Sequence, residues 1–237
     1  YFIRGKDDCM RYGIIGAMPV EIEKIKQNMT VEKETVFHDI HFYEGSCQGR
    51  QIVLVTCGVG KFNAAHTTLL LINQFGVDKI INVGVAGCIQ DDIQVGDMVL
   101  GTSTTAYDVG PSIMRRYFPF VENYEYDAEV IEAAKAACES ITDRSWKYVV
   151  RPTITGDMFI ADPMLKEKLL SPFPEAACID MEAQAMAQIA RIYGVPIANL
   201  RSISDTADNE AVYEENEAWA AEIAATVLLE TLKRLPA

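Results

Sequence analysis

Buried runs and helical spacings alternate along this chain. Tyr12–Ala17 is an unbroken apolar run, ending in the small pair Gly16-Ala17, and predicts a buried strand. Pro19 then stands where helices begin, and Val20, Ile22, Ile25 and Met29 recur at helical spacing. Strands are expected at about 34–38, 41–48 and 51–57, with turn signals at Glu44-Gly45 and Gln48-Gly49. Gly58-Val59-Gly60 breaks the third of these, and Lys61–Phe75 reads as a helix carrying Leu69, Leu70 and Ile72. Lys79–Val83 predicts a fully buried strand ended by Gly84-Val85-Ala86-Gly87. A further strand near Asp97–Gly101 leads into an irregular stretch from about 106 to 126.

The second half repeats the alternation. Helices are predicted at Ala128–Ser140, Asp162–Leu170 and Met181–Tyr193, and strands at Tyr148–Thr155, Ala177–Asp180 and Pro196–Ser204. Glu214–Leu235 closes the chain as a long helix with Ile223, Val227, Leu228 and Leu232 on one face. Such alternation makes an α/β fold with a mostly parallel sheet covered on both faces, and the early meander makes that sheet mixed. Neither an internal repeat nor a Pro/Gly/Ser linker divides residues 10–237, which read as one domain. Tyr1–Cys9 precedes the first methionine and lacks the apolar centre of a signal peptide. It reads as an upstream extension or an expression remnant outside the fold.

Composition narrows the function classes. Among 237 residues, 34 are acidic and 21 basic, a formal charge of −13. Such a surface repels phosphate backbones and anionic lipid, so neither nucleic acid nor a membrane is expected as partner. No apolar run approaches the roughly 20 residues of a membrane helix. The six cysteines, without a CxxC pair and mostly in apolar surroundings, suit reduced core thiols in a cytoplasmic protein. Three histidines, His38, His41 and His66, supply neither a metal shell nor a catalytic triad, so no metal or other cofactor is expected.

In open α/β sheets ligands bind beyond the carboxyl ends of the strands. The residues that follow the buried runs are Glu21, Gly58–Gly60, Gly84–Gly87, Phe159-Ile160, Met181-Glu182 and Arg201–Asp205. The glycine clusters fit neither GxGxxG with a ribose-binding acid nor GxxxxGK[ST], and tight turns explain them equally well. Each carboxylate also has an ordinary explanation. Glu21 fits an exposed first-turn residue favoured by the helix dipole, Glu182 a helix-start carboxylate, and Asp205 a turn cap or a partner of Arg201.

Together with their neighbours, these segments resemble a known family. Gly13-Ile14-Ile15-Gly16-Ala17-Met18-Pro19-Val20-Glu21, Cys57-Gly58-Val59-Gly60-Lys61 and Asn82-Val83-Gly84-Val85-Ala86-Gly87 are similar to successive motifs of the 5′-methylthioadenosine/S-adenosylhomocysteine nucleosidases. Thr155-Gly156-Asp157-Met158-Phe159-Ile160, Asp180-Met181-Glu182-Ala183 and Arg201–Asp208 complete an ordered set spanning residues 12 to about 235. The resemblance implies a nucleoside phosphorylase-like fold, a homodimer, and hydrolysis of the N-glycosidic bond of 5′-substituted adenosines.

That chemistry passes through an oxocarbenium-like state, so the enzyme must help the base leave and deliver water to the sugar. By resemblance, Asp205 is the general acid that protonates adenine N7, a role that needs a protonated carboxyl. Glu21 would deprotonate the attacking water, and Glu182 would accept hydrogen bonds from the ribose hydroxyls while Met181 packs on the sugar. Phe159 would stack on adenine with the Ile160 backbone reading its edge. Ala86 and Gly87 would let the backbone approach the nucleoside, and Met18 and Val59 would line the apolar part of the pocket. Ser204 would orient Asp205, Arg201 would lie close to the water, and Tyr213 would form an aromatic lid near the 5′-substituent.

One stretch departs from the family pattern. Where relatives have a Tyr-His-Asp run and a longer loop, this chain has Tyr107-Asp108-Val109-Gly110-Pro111-Ser112 and then Met114–Phe120. In relatives the region serves the subunit interface and the 5′ pocket. The nearest rival is phosphorolysis on the same fold, which needs a cationic cradle for phosphate. Arg50 is the only arginine between Tyr12 and Gly110, and Glu21 stands where related phosphorylases carry arginine. Cleavage of aminodeoxyfutalosine is a second rival. Nucleoside binding without catalysis is a third, because a fold does not dictate activity.

Overall fold

The computed structural model describes residues 9–207 and 210–237; residues 1–8 of the expected N-terminal extension and Asp208 lie outside it. β1 (Arg11–Gly16) buries Ile14 on one face and Ile15 on the other, the two-residue period of a strand covered on both sides. It runs parallel between β4 (Arg50–Thr56) and β5 (Lys79–Cys88). β2 (Met29–Phe37) and β3 (Ile40–Cys47) extend the sheet beyond β4 as an antiparallel meander.

On its other side β5 is parallel to β10 (Ile197–Asp205), and β10 is antiparallel to β6 (Met98–Ala106). β6 is parallel to β8 (Tyr148–Thr155), which is parallel to β9 (Cys178–Asp180), and β9 returns antiparallel to β5. These five strands close a ring from which β1, β4, β3 and β2 run out as an open wing. The three-residue β7 (Asn123–Glu125) pairs with β6.

Helices cover both faces. Ile22 and Ile25 of α1 (Pro19–Gln27), Val130 of α4 (Ala128–Ser140) and Leu228 of α7 (Glu210–Leu232) pack with Ile14 and Leu54. On the opposite face, Leu71 and Phe75 of α2 (Lys61–Phe75) and Met186 of α6 (Ala183–Tyr193) meet Ile15, Val53 and Val55. The mixed α/β architecture expected from the sequence is therefore present.

Several local expectations are corrected. Helix α1 stops at Gln27 and Met29 opens β2, because the β-branched Thr30, Val31, Thr35 and Val36 favour a mostly exposed edge strand. The β2–β3 turn is His38-Asp39, both at positive φ. Gly45 lies inside β3, where any Cβ would overlap the Thr30 carbonyl at a register shift, so it marks a bulge and not a turn. β5 does not end at Gly84; pairing with β10 and β9 carries it through Gly87 to Cys88. β6 likewise runs on to Ala106, and the stretch expected to be irregular holds α3 (Pro111–Arg116) as well as β7. α5 (Pro163–Leu170) is capped by Asp162, whose carboxylate accepts from Met164 N.

Leu71 is fully buried between α2 and the sheet. Truncation by Leu71→Ala is expected to cost about 2–5 kcal/mol in urea unfolding, through lost transfer energy and a residual cavity.

Candidate active site

The parallel strands β1, β4, β5 and β10 deliver their carboxyl ends to one edge of the sheet, where a cavity of about 300 Å³ opens. The β1–α1 junction contributes Met18 and Glu21 to its wall, and the loop after β4 contributes Val59. Val85, Ala86 and Gly87 come from β5, and Ser204 and Asp205 from the end of β10. Asp180, Met181 and Glu182 join β9 to α6, and Phe159 and Tyr213 stand across the mouth. A larger cavity of about 580 Å³ beside Tyr124, Arg191 and Pro196 lies by the amino-terminal end of β10, away from these groups.

Glu21 is buried, which excludes the exposed first-turn explanation. Its Oε2 accepts from Ala17 N (2.6 Å) and Met18 N (2.9 Å), and its Oε1 accepts from Val85 N (2.8 Å). Burial raises its pKa above the ordinary carboxylate value, against the lowering effect of Arg201 and those three N–H groups.

Arg201, only 1% exposed, lies beneath the cavity at the centre of an acidic group. Its Nη1 stands 3.7 Å from Glu21 Oε1, its Nε 3.4 Å from Asp180 Oδ2, and its Nη2 3.7 Å from Glu182 Oε2. Burial disfavours the guanidinium's charge, but Asp180, Glu21 and Glu182 together hold its pKa above the ordinary value. A Cβ on Gly84 would overlap Glu21 Oε1 and come within 2.6 Å of Arg201 Nη1, so only glycine fits beneath this pair.

Glu182 precedes α6, and its Oε1 accepts from Gly60 N at 2.8 Å. Gly58 and Gly60 adopt positive φ, which bends the loop so that this N–H faces the carboxylate. Burial raises the Glu182 pKa to about 7, opposed by Arg201 and reinforced by the Asp180 charge.

Asp205, 2% exposed, faces the cavity from the opposite wall. The Ser204 hydroxyl donates to its Oδ2 at 2.8 Å, and Ala207 N donates to its Oδ1 at 2.8 Å. The left-handed conformation of Ala207 (φ 55°) accompanies that contact. A Cβ on Gly87 would come within 2.8 Å of Asp205 Oδ1, so glycine keeps space in front of the carboxyl.

Phe159 and Tyr213 meet edge to face, with centroids 5.3 Å apart. The Tyr213 hydroxyl donates to Glu217 Oε1 at 2.6 Å. The loop carrying Phe159 is braced by the divergent segment: Tyr107 donates to Met158 O (3.1 Å), and Asp157 N donates to Asp108 Oδ2 (3.0 Å). Lys61 Nζ pairs with Asp108 at 2.7 Å and so ties that brace to α2.

A family model described as the phosphorylase superfamily matches residues 11–235. The chain is 35% identical to the 5′-methylthioadenosine/S-adenosylhomocysteine nucleosidase of Marinomonas sp. (strain MWYL1) over 227 residues, covering 93% of this chain and 97% of the relative. The chain belongs to this nucleosidase family within the phosphorylase superfamily.

Solved structures agree. The Neisseria meningitidis nucleosidase in complex with methylthio-immucillin-A superposes with a TM-score of 0.89 at 31% identity, over 95% of this chain and 99% of that one. The Colwellia psychrerythraea enzyme in complex with adenine gives 0.91 at 30% identity, over 97% of each chain. Futalosine hydrolase of Helicobacter pylori, at 28% identity, 96% and 99% coverage and a TM-score of 0.86, shares the fold.

Of the residues read from the nucleosidase motifs, Glu21, Glu182, Asp205, Met181, Phe159, Ala86, Gly87, Val59, Met18, Ser204 and Tyr213 line one cavity. Ile160 does not; its side chain packs behind the wall with Ile89, Ile154 and Ile179. Arg201 supports the wall from below without lining it. Sequence reading passes over Asp180 as a site residue. Its signal is a carboxylate just ahead of a helix start, a capping position.

The Glu182 environment has a measurable consequence. The folded chain holds a proton there that the unfolded chain gives up from its ordinary pKa of 4.5. This stabilisation is complete below that value and is lost as pH rises through about 7. Relative to Glu182→Gln, wild-type unfolding free energy is expected to fall by roughly 3 kcal/mol between about pH 4 and 8 in urea titrations. A pH-independent difference would contradict the shift.

Proposed function

We propose that the chain hydrolyses 5′-methylthioadenosine and S-adenosylhomocysteine to adenine and the 5-substituted ribose, and acts on 5′-deoxyadenosine as well, through one catalytic unit spanning 10–237. The observation that carries hydrolysis is the charge of the cavity wall. Its described lining holds Glu21, Asp180, Glu182 and Asp205 and neither lysine nor arginine. A wall of acids without a cation gives phosphate no counter-charge, whereas water is a neutral nucleophile that a carboxylate can activate. Arg50, the arginine a phosphate site would call on, instead donates to Leu235 O at 2.7 Å. Arg201 is buried among three carboxylates.

In this reading the bond between N9 and C1′ breaks, and its electron pair enters the purine as Asp205 gives a proton to N7. Ser204 and the Ala207 N–H hold the Asp205 carboxyl toward the base. Water adds its oxygen to C1′ and yields a proton to Glu21, whose place is fixed by three backbone N–H groups. Glu182 accepts from the ribose hydroxyls and Met181 packs on the sugar. Phe159 stacks on adenine, the Ile160 backbone reads its edge, and Met18, Val59 and Tyr213 enclose the 5′ group. Ala86 and Gly87 leave room for the nucleoside.

Adenine release from 5′-methylthioadenosine is expected to proceed equally in phosphate-free and phosphate buffer; strict phosphate dependence would make the enzyme a phosphorylase. Asp205→Asn is expected to cut turnover by about 10²–10⁴-fold while the nucleoside still binds. Near-full turnover in that variant would remove Asp205 from the acid role.

The working unit in this proposal is a homodimer. Phe62, Ile113, Tyr117 and Phe118 are exposed around a groove of about 390 Å³ that Val109 also lines. An apolar face of this kind suits contact with a second copy. Light scattering is expected to give twice the chain mass, and Phe62→Asp with Phe118→Asp to give the monomer. A wild-type monomer would refute the dimer. The free cysteines fit a reducing cytoplasm.

A further inference from the structure

Beside the proposed ribose carboxylate, on the guanidinium that also reaches the proposed water-activating one, lies a third acid with no assigned work. Asp180, 5% exposed, ends β9 immediately before Met181 and Glu182. Its Oδ1 accepts from Thr155 Oγ1 (2.7 Å), Ala183 N (3.0 Å) and Glu182 N (3.2 Å). Its Oδ2 lies 3.4 Å from both Asn199 Nδ2 and Arg201 Nε. One carboxylate thus holds the first turn of α6, on which Glu182 sits, and the edge of the guanidinium that reaches Glu21 and Glu182.

We propose that Asp180 is a positioning residue for the hydrolysis: through Arg201 and the start of α6 it fixes where the Glu21 and Glu182 carboxylates stand. The inference rests on the hydrolase reading above. A helix cap alone needs only the Oδ1 contacts, which asparagine and serine also supply at helix starts. The Oδ2 contact is different, because only an anion there competes with Glu21 and Glu182 for the single guanidinium. Thr155 extends the arrangement, since its hydroxyl accepts from Gln184 N at 3.1 Å while donating to Asp180. Asp180 is thereby pinned to β8, α6 and β10 at once, and its own carboxylate has little freedom.

The charges around this group set the sign of the test. Facing Asp180 and Glu182 are Glu21 from α1, Cys57 after β4, Tyr107 after β6, Tyr126 after β7, Cys178 in β9 and Arg201 in β10. Of these only Arg201 is cationic. Neutralising Asp180 removes a repelling charge beside Glu182 and releases Arg201 toward both functional carboxylates. Glu182 then ionises at lower pH.

The experiment is the pH profile of kcat/KM for Asp180→Asn with 5′-methylthioadenosine. The acid limb is expected to move down by about one pH unit relative to wild type. Turnover is expected to fall by about 10- to 100-fold through misplacement of the carboxylates, with KM changed far less. Asp180→Glu, which restores the charge, should return the limb to its wild-type position. If Asp180→Asn does not fold, Asp180→Ser keeps a cap acceptor without the charge and is expected to give the same shift. A lowered melting temperature with an unmoved pH profile would leave Asp180 as a cap only and overturn the proposal. The same shift should be visible without substrate, in the pH dependence of urea unfolding of the variant against wild type. An inactive wild type would refute the hydrolase reading, while an unmoved unfolding profile would refute the Asp180 inference.

Discussion

Three buried carboxylates share one guanidinium at the centre of this molecule, and the rest of the site is arranged around that shortage of positive charge. Removing four ions from water is expensive, and one cation offsets only part of the mutual repulsion among three anions. Backbone N–H groups make up some of the difference: Ala17, Met18 and Val85 serve Glu21, and Gly60 serves Glu182. What they leave unmet appears as raised proton affinity at Glu21 and Glu182. A carboxylate that holds its proton more tightly than usual is a stronger base, which suits the base-activated hydrolysis proposed. The same imbalance that lowers stability thus prepares the chemistry.

The sheet holds this cluster in place by being short of side chains where the cluster needs room. Arg201 sits in β10 opposite Gly84 of β5, and Asp205 pairs in register with Gly87. At both positions a methyl group would collide with a functional carboxylate or its partner. Closure of β5, β10, β6, β8 and β9 into a ring means that each acid-bearing strand is paired on two sides. The groups proposed to hold the sugar, Met181 and Glu182, are built into a junction of that ring. Those proposed to meet the base and the 5′ group, Phe159 and Tyr213, hang from a loop and a helix start.

Much of this is legible in the amino-acid sequence. The apolar runs mark the strands, and ordered motifs mark Glu21, Glu182 and Asp205, because a carboxylate after a buried strand has few places to go in an α/β fold. Where local pattern misleads, tertiary contact overrules it. Gly84-Val85-Ala86-Gly87 reads as a breaker, yet pairing with β10 and β9 keeps it extended. Gly45 reads as a turn, yet close passage of Thr30 is what demands glycine there. Asp180 escapes notice because its work depends on Arg201, 21 positions later, and no local spacing encodes that meeting.

The edge-to-face contact between Phe159 and Tyr213 joins two segments 54 positions apart across the cavity mouth. Such a ring pair is worth about 0.5–1.5 kcal/mol, so parting it lowers the population by at most about a factor of ten. A contact this light costs little to open. In the proposed reaction a flat base would then have a way out edge-on between the rings. On the proposed mechanism, departure of the base would thereby be decoupled from the charged cluster beneath the cavity.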